Sequence, residues 1–335
     1  MFKKLITFPL AFLLFFSACK KDEPTTDEGS GGIGNPATEH HSNDGSVDNR
    51  NGTFTITLGN KTFNTTVRDF SSEPVVTDPK LVTAVKKADF GMSNYLSRFK
   101  VDRDHINGAL TVDAFTSKLT VYSISKKKET SNHNPDFYIA GFDYNGAMMT
   151  IEGAEDLNFY MVDNGVITDH FFHVAAFKGS KFLSECYMDQ SVGYVYNSDE
   201  IVFFPLHNTK DFKTMNVTIP DFSQLRFSSD ENYLYLSIGG YTDSEVKILD
   251  KKNNYAEVAS LDLKGKSLAG ITVDANYIYV SDVTSSSIFV YNKHNQADAG
   301  SFSLTSPNAL DIIGSTLYVS NKTDKKIETY EVTFQ

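Results

Sequence analysis

The 335-residue chain carries 31 Lys and Arg against 42 Asp and Glu, a net charge of −11. This balance argues against nucleic acid as a partner, because a phosphate backbone is met by a basic face. Its 40% hydrophobic content suits a globular core, and 26 Phe with 17 Tyr favour strands.

Lys3 and Lys4 precede an apolar run from Leu5 to Phe16 that is too short to span a bilayer. The run ends in Phe16-Ser17-Ala18-Cys19, which resembles the lipobox of bacterial lipoproteins. The resemblance implies a signal peptide over 1–18, removed before Cys19, and acyl chains on that cysteine. Several acyl chains make a stable anchor, since each buried CH₂ contributes about 0.8 kcal/mol. Lys20-Lys21-Asp22-Glu23 resembles the lysine–acidic–acidic signal that sends some lipoproteins to the outer face of the outer membrane. The expected partner here is a membrane, through the lipid anchor. If Cys19 is acylated, Cys186 is unpaired, and a lone exported cysteine is expected to be a small buried hydrophobe.

Residues 20–50 hold almost no large apolar side chain and cannot offset their ordering entropy, so 19–52 reads as a flexible tether. The pair His40-His41 within it is read as chance. From Thr53 to Gln335 the chain consists of short alternating apolar runs separated by Asn, Asp, Gly and Ser, which means strands.

An internal repeat organises these strands. Leu183–Asn197 aligns without a gap on Leu268–Asp282, with Phe227–Ser237 and Leu310–Asn321 in the same register. The anchor tyrosines Tyr194, Tyr235, Tyr279 and Tyr318 are 41, 44 and 39 residues apart. A period of about 40–45 residues carrying four short strands is that of a propeller blade. In the unit around Tyr279 the strands are expected at Ala269–Val273, Tyr277–Ser281, Ser287–Asn292 and Ala299–Leu304. Tyr279-Val280-Ser281-Asp282 followed by Ser287–Asn292, repeated as Tyr318–Asn321 with Lys326–Tyr330, resembles the YVTN-type β-propeller repeat. The resemblance covers 180–335 and implies a fold and a surface context, with no fixed catalytic residues.

Extended backwards, the repeat places blades at Phe137–Lys178, Leu96–Asn134 and Asn60–Asn94. Thr53–Leu58 would supply the outer strand of the last blade and close the ring. The fold expected over 53–335 is an all-β propeller of seven blades, with six blades and an unrelated N-terminal hairpin as the rival count.

Asp189, Asp230 and Asp274 share one repeat position and read as turn residues rather than a ring of ligands. Asn197, Asp282 and Asn321 close the second strands of their blades on the face where propellers usually bind. With Arg98 and Arg226 they are the candidate ligand-binding positions. His170 and His173 fall on opposite faces of a regular strand and cannot hold one ion together without a bulge. Asp102–Gly108 faintly resembles a calcium loop but has Ile106 where an oxygen ligand is needed and lacks the distal Glu, so it reads as a turn. Neither a phosphate-binding loop, a zincin motif nor a nucleophile elbow occurs. The expectation is a non-catalytic, surface-anchored binding protein for a protein, peptide or glycan, with no cofactor. Its rival is a metal-assisted hydrolase or lactonase holding Ca²⁺ or Zn²⁺ in the channel. A structural subunit of an outer-membrane assembly is the third reading.

Overall fold

The computed structural model describes residues 45–335 except 50–51, 79, 114–115, 136–137, 154–155, 175–182, 199, 218, 221–222 and 241–242. Cys19, the signal segment, His40-His41 and most of the tether lie outside the described residues. Among them no helix is long and apolar enough to cross a membrane.

The described chain forms seven antiparallel sheets. The first is three-stranded: β1 (Gly45–Asp48), β2 (Thr53–Leu58) and β3 (Lys61–Thr66). β1 falls within the stretch read as tether, and pairs with β2. After β4 (Val82–Gly91) come six four-stranded sheets. Blade I contains β5 (Tyr95–Asp102), β6 (His105–Thr111), β7 (Ser117–Ser123) and β8 (Lys128–His133). Blade II contains β9 (Ile139–Tyr144), β10 (Ala147–Glu152), β11 (Asp156–Asp163) and β12 (Val166–Val174). Blade III contains β13 (Leu183–Asp189), β14 (Val192–Asn197), β15 (Glu200–Pro205) and β16 (Lys213–Asn216). Blade IV contains β17 (Gln224–Ser229), β18 (Tyr233–Gly239), β19 (Glu245–Asp250) and β20 (Ala256–Asp262). Blade V contains β21 (Leu268–Val273), β22 (Tyr277–Asp282), β23 (Ser287–Asn292) and β24 (Asp298–Ser303), each within a residue of expectation. Blade VI contains β25 (Pro307–Ile313), β26 (Thr316–Asn321) and β27 (Lys326–Phe334).

The expected propeller is present, and its seven sheets divide into six blades and one wedge. The inner strands β5, β9, β13, β17, β21 and β25 pack each against the next and close on themselves. The three-stranded sheet sits between blades II and III, where Ile56, Leu58 and Phe63 join the core formed by Met149, Phe159, Leu183 and Phe204. Gly146 permits that approach: it has φ 81°, and a Cβ there would lie 1.9 Å from the carbonyl oxygen of Asn64.

The borrowed outer strand exists but is not the one expected. β27 pairs antiparallel with β4, from Lys326 opposite Gly91 to Phe334 opposite Val82. Thr53–Leu58 is the middle strand of the wedge instead. Both segments have strand composition; only long-range packing distinguishes them, and Thr53–Leu58 carries the alternate Ile56 and Leu58 that the wedge core needs. Burial falls from the axis outward. All six residues of β21 are buried, whereas β20 is mostly exposed.

Candidate functional site

Adjacent blades present equivalent side chains to the channel in levels. The four anchor tyrosines define the register: Tyr194, Tyr235, Tyr279 and Tyr318 are cross-strand partners of Tyr187, Ser228, Thr272 and Asp311. The expected equivalence therefore holds. Lys100 and Asp143 complete this inner level in blades I and II. Two residues earlier along the inner strands lies an outer level of Arg98, Gly141, Glu185, Arg226, Gly270 and Ala309.

The inner level joins neighbouring strands. Asp143 Oδ2 accepts the Met188 N–H at 2.7 Å, and Asp311 Oδ2 accepts the Val101 N–H at 2.7 Å. Each carboxylate thus satisfies a backbone donor on the next blade. Burial pushes the Asp143 carboxyl up to about 7 against the pull of Lys100. Lys100 Nζ stands 5.0 Å from the Tyr187 ring centroid and 3.9 Å from Asp311 Oδ1.

One mouth is crossed by the segment between β3 and β4. Arg68 ion-pairs with Asp311, donates to Thr272 Oγ1 at 2.8 Å and reaches the carbonyl of Val273 at 3.1 Å. The segment then runs over the turns of blades IV and V. The Phe70 N–H donates to Glu231 Oε2 at 3.1 Å, that of Val76 donates to Asn276 Oδ1 at 2.8 Å, and Asn292 Nδ2 donates to the Val76 carbonyl at 2.6 Å.

The same face holds the repeated aspartates. Asp230 accepts the N–H groups of Asn232 and Tyr233, the Tyr235 hydroxyl at 2.8 Å and Lys293 Nζ at 2.9 Å. Asp274 accepts the equivalent N–H groups of Asn276 and Tyr277 and the Tyr279 hydroxyl at 2.6 Å. Lys251 reaches Asp189 of the preceding blade at 2.5 Å, as Lys293 reaches Asp230. Asp230 and Asp274 are turn residues, as expected, while Asp189 and Asp230 latch a blade to its neighbour. The lysines were not singled out from sequence, although each directly follows the Asp250 or Asn292 that ends a third strand.

The opposite mouth is built differently. Arg98 Nε donates to both oxygens of Glu185, at 2.9 and 3.1 Å, and Arg226 Nη1 donates to Glu185 Oε2 at 2.6 Å. Glu185 is 3% exposed. Two cations on inner strands of blades I and IV therefore share one buried acid from blade III. Burial and the Arg98 charge pull the Arg226 guanidinium down to about 10. Above the trio opens a cavity of about 510 Å³ lined by Tyr95, Ser97, Tyr138, Ser184, Gln224, Asn308 and Lys322 as well as the two arginines. Gly270 lets blades V and VI meet closely at this level, since a Cβ there would lie 2.4 Å from the Asn308 carbonyl oxygen.

Of the five expected positions, Arg98 and Arg226 are brought together here. Asn197, Asp282 and Asn321 are buried at the starts of the turns joining second to third strands. Asp282 accepts the N–H groups of Ser267, Thr284 and Ser285, and Asn321 accepts that of Asp324. Glu185 escaped notice because its aligned partner is Gly270, so no repeat pattern marks it.

Two further sequence readings meet the structure. Cys186 is buried on β13 with its thiol pushed well up by burial. His170 and His173 share a face after all, because register shifts between Phe159 and Tyr160 supply the bulge. Their rings converge on Asn158 Oδ1 at 2.9 and 3.0 Å. Among the described residues no group of three or more His, Cys, Asp or Glu is arranged to hold a metal ion.

No protein-family model matches the chain, and no curated protein matches it. Among solved structures, the WD40 domain of Toxoplasma gondii coronin aligns with a TM-score of 0.57 at 9% identity, over 78% of this chain and 88% of that one. The β-propeller domain of Myceliophteria thermophila Cps50 (Swd1) gives 0.48 at 7% identity, over 76% and 100%. BamB from Moraxella catarrhalis gives 0.47 at 9%, over 74% and 100%. The likeness to the coronin domain concerns architecture alone: this chain folds as a β-propeller.

Proposed function

We propose that the chain is a surface-anchored lipoprotein of the outer membrane, held by acyl chains on Cys19, whose propeller binds a protein, peptide or glycan without catalysis. The ligand enters the mouth rimmed by Arg98 and Arg226. One observation carries this reading: the described residues lining that cavity include three cations and no acid, while the other mouth is crossed by the chain itself. Rigid blades hold the rim, and the loops between blades surround it. Asn197, Asp282 and Asn321 act on the ligand by fixing the shape of those loops. The YVTN-like repeat and the lysine–acidic–acidic segment behind Cys19 agree with a surface address.

Screening the purified protein against glycan and peptide arrays tests the binding reading. At least one ligand is expected, and Ser184→Trp, which fills the mouth, is expected to abolish its binding without lowering Tm. Retained binding in that variant would place the site elsewhere. Metabolic labelling with an alkyne palmitate is expected to mark the wild type and not Cys19→Ala; equal labelling would refute the anchor.

A further inference from the structure

We infer that the open mouth is a subsite for a carboxylate on an acidic glycan, such as a uronic acid unit. The inference rests on the binding reading above and names its ligand class. Its first support is charge. Arg98, Arg226 and Lys322 line the outer cavity, whereas Glu185, the acid shared by both arginines, is buried and is not among the described residues that line it. The trio of Arg98, Glu185 and Arg226 keeps one positive charge, and Lys322 adds a second. In a chain of net charge −11 this is a local reversal of sign, of the kind that draws in an anion.

The second support is donor geometry. Arg98 spends Nε on Glu185, and its Nη2 is 3.4 Å from the Ser184 carbonyl; its Nη1 meets no acceptor among the described residues. Arg226 Nη1 is spent on Glu185 and the Leu225 carbonyl, and its Nε is buried out of a ligand's reach. Arg226 Nη2 is held only by the side-chain oxygen of Gln224, at 3.0 Å. Arg98 Nη1 and Arg226 Nη2 together, one nitrogen from each of two guanidinium groups joined through Glu185, suit a planar carboxylate, which accepts an N–H bond at each oxygen.

The remaining lining selects the class of molecule that carries the carboxylate. Ser97, Thr111, Ser184, Ser223, Gln224 and Asn308 offer hydroxyl and amide groups that both donate and accept, as sugar hydroxyls do. Tyr138 is 41% exposed and offers a ring face. Each inner strand is the edge strand of its sheet, but at this mouth those edges lie against the neighbouring blades, Gly141 against Cys186 and Gly270 against Asn308, and an added peptide strand would have to part them.

Titration calorimetry of the full-length protein with trigalacturonate tests this. Binding that weakens with added salt is expected, as for any exposed charge pairing. Methyl-esterified trigalacturonate is expected to bind about tenfold more weakly, the loss of one charge-assisted hydrogen-bond pair. Arg98 and Arg226 brace Glu185, so their truncation risks the fold; the Lys322 ammonium stands over the Tyr95 ring, 5.4 Å from its centroid, and pairs with no acid among the described residues. Lys322→Ala is therefore expected to weaken trigalacturonate about threefold with Tm unchanged. Ester and acid binding equally, or no trigalacturonate binding at all, would overturn the inference. Triglutamate binding more tightly than trigalacturonate would overturn the glycan assignment. In each case an array ligand lost on Ser184→Trp would leave the mouth a binding site, so this failure is separable from failure of the broader reading.

Discussion

At one mouth of the channel Arg68 enters from outside the ring and meets Asp311, which also holds a backbone N–H of the next blade. At the other, Arg98 and Arg226 belong to the inner strands themselves and divide a single Glu185 between them. The inner level sets Arg68 and Lys100 against Asp311 and, as pH rises past about 7, Asp143. The outer level carries a surplus of cations. The difference teaches how the two mouths are built: one is crossed by the chain's own segment, which supplies the cation for Asp311, and the other, with more cations than acids, faces an open cavity.

The largest expected effect comes from removing the shared acid. Glu185→Ala leaves two guanidinium groups close together without a counter-charge, and a loss of about 3–5 kcal/mol is expected in urea unfolding. A loss below 1 kcal/mol would mean that the trio holds nothing together. Arg68→Ala attacks the opposite mouth. It strands the buried Asp311, although Lys100 remains 3.9 Å away, and about 2–3 kcal/mol should go. Proteolysis within 69–80 should accelerate in the same variant; unchanged cleavage would show that Arg68 does not hold the segment down.

The balance of the inner level can be read by pH. Asp143 has its carboxyl at about 7 in the fold against 3.8 in the reference state. Between about pH 4 and 7 the folded protein therefore holds a proton that the unfolded chain has released, so this group's contribution to stability falls as pH rises through that window and is flat above it. Asp143→Asn keeps an acceptor for Met188 and loses the titration. Its urea midpoint relative to wild type should rise from about pH 5 to pH 8; a constant difference would disprove the assignment.

The smallest effects compare blades. Tyr279→Phe removes a donor from the buried Asp274 and is expected to cost about 1–2 kcal/mol. Tyr318→Phe, in the blade where Ile313 replaces the aspartate, should cost under about 0.5 kcal/mol. Equal losses in thermal unfolding would show that the hydroxyl bonds do not set the difference between these blades.

Blades III to VI were legible because Tyr194, Tyr235, Tyr279 and Tyr318 repeat a local hairpin, and a hairpin is written in adjacent residues. The wedge, the strap and the closing strand were not. Residues 67–81 have no period that says they cross a channel, and Val82–Gly91 looks no more like a partner for β27 than Thr53–Leu58 does. These are matched over hundreds of residues and only packing selects them. The site was half legible for the same reason. Arg98 and Arg226 stand out as cations near predicted strand starts, but Glu185 sits where the best-aligned repeat has glycine, so nothing in one blade announces the acid that two others need. The histidine pair failed through a bulge, which shifts side-chain parity by one residue without a sequence mark.

The pairing of β4 with β27 sets an order of events for the maturing protein. The strand emerging first must wait while about 250 further residues appear before its mate exists, a delay characteristic of non-local topologies. A chain crossing an envelope from its amino end would carry an unzipped edge throughout transit. Stopping synthesis before residue 326 would leave the clasp open, exposing β4 to pairing with another copy.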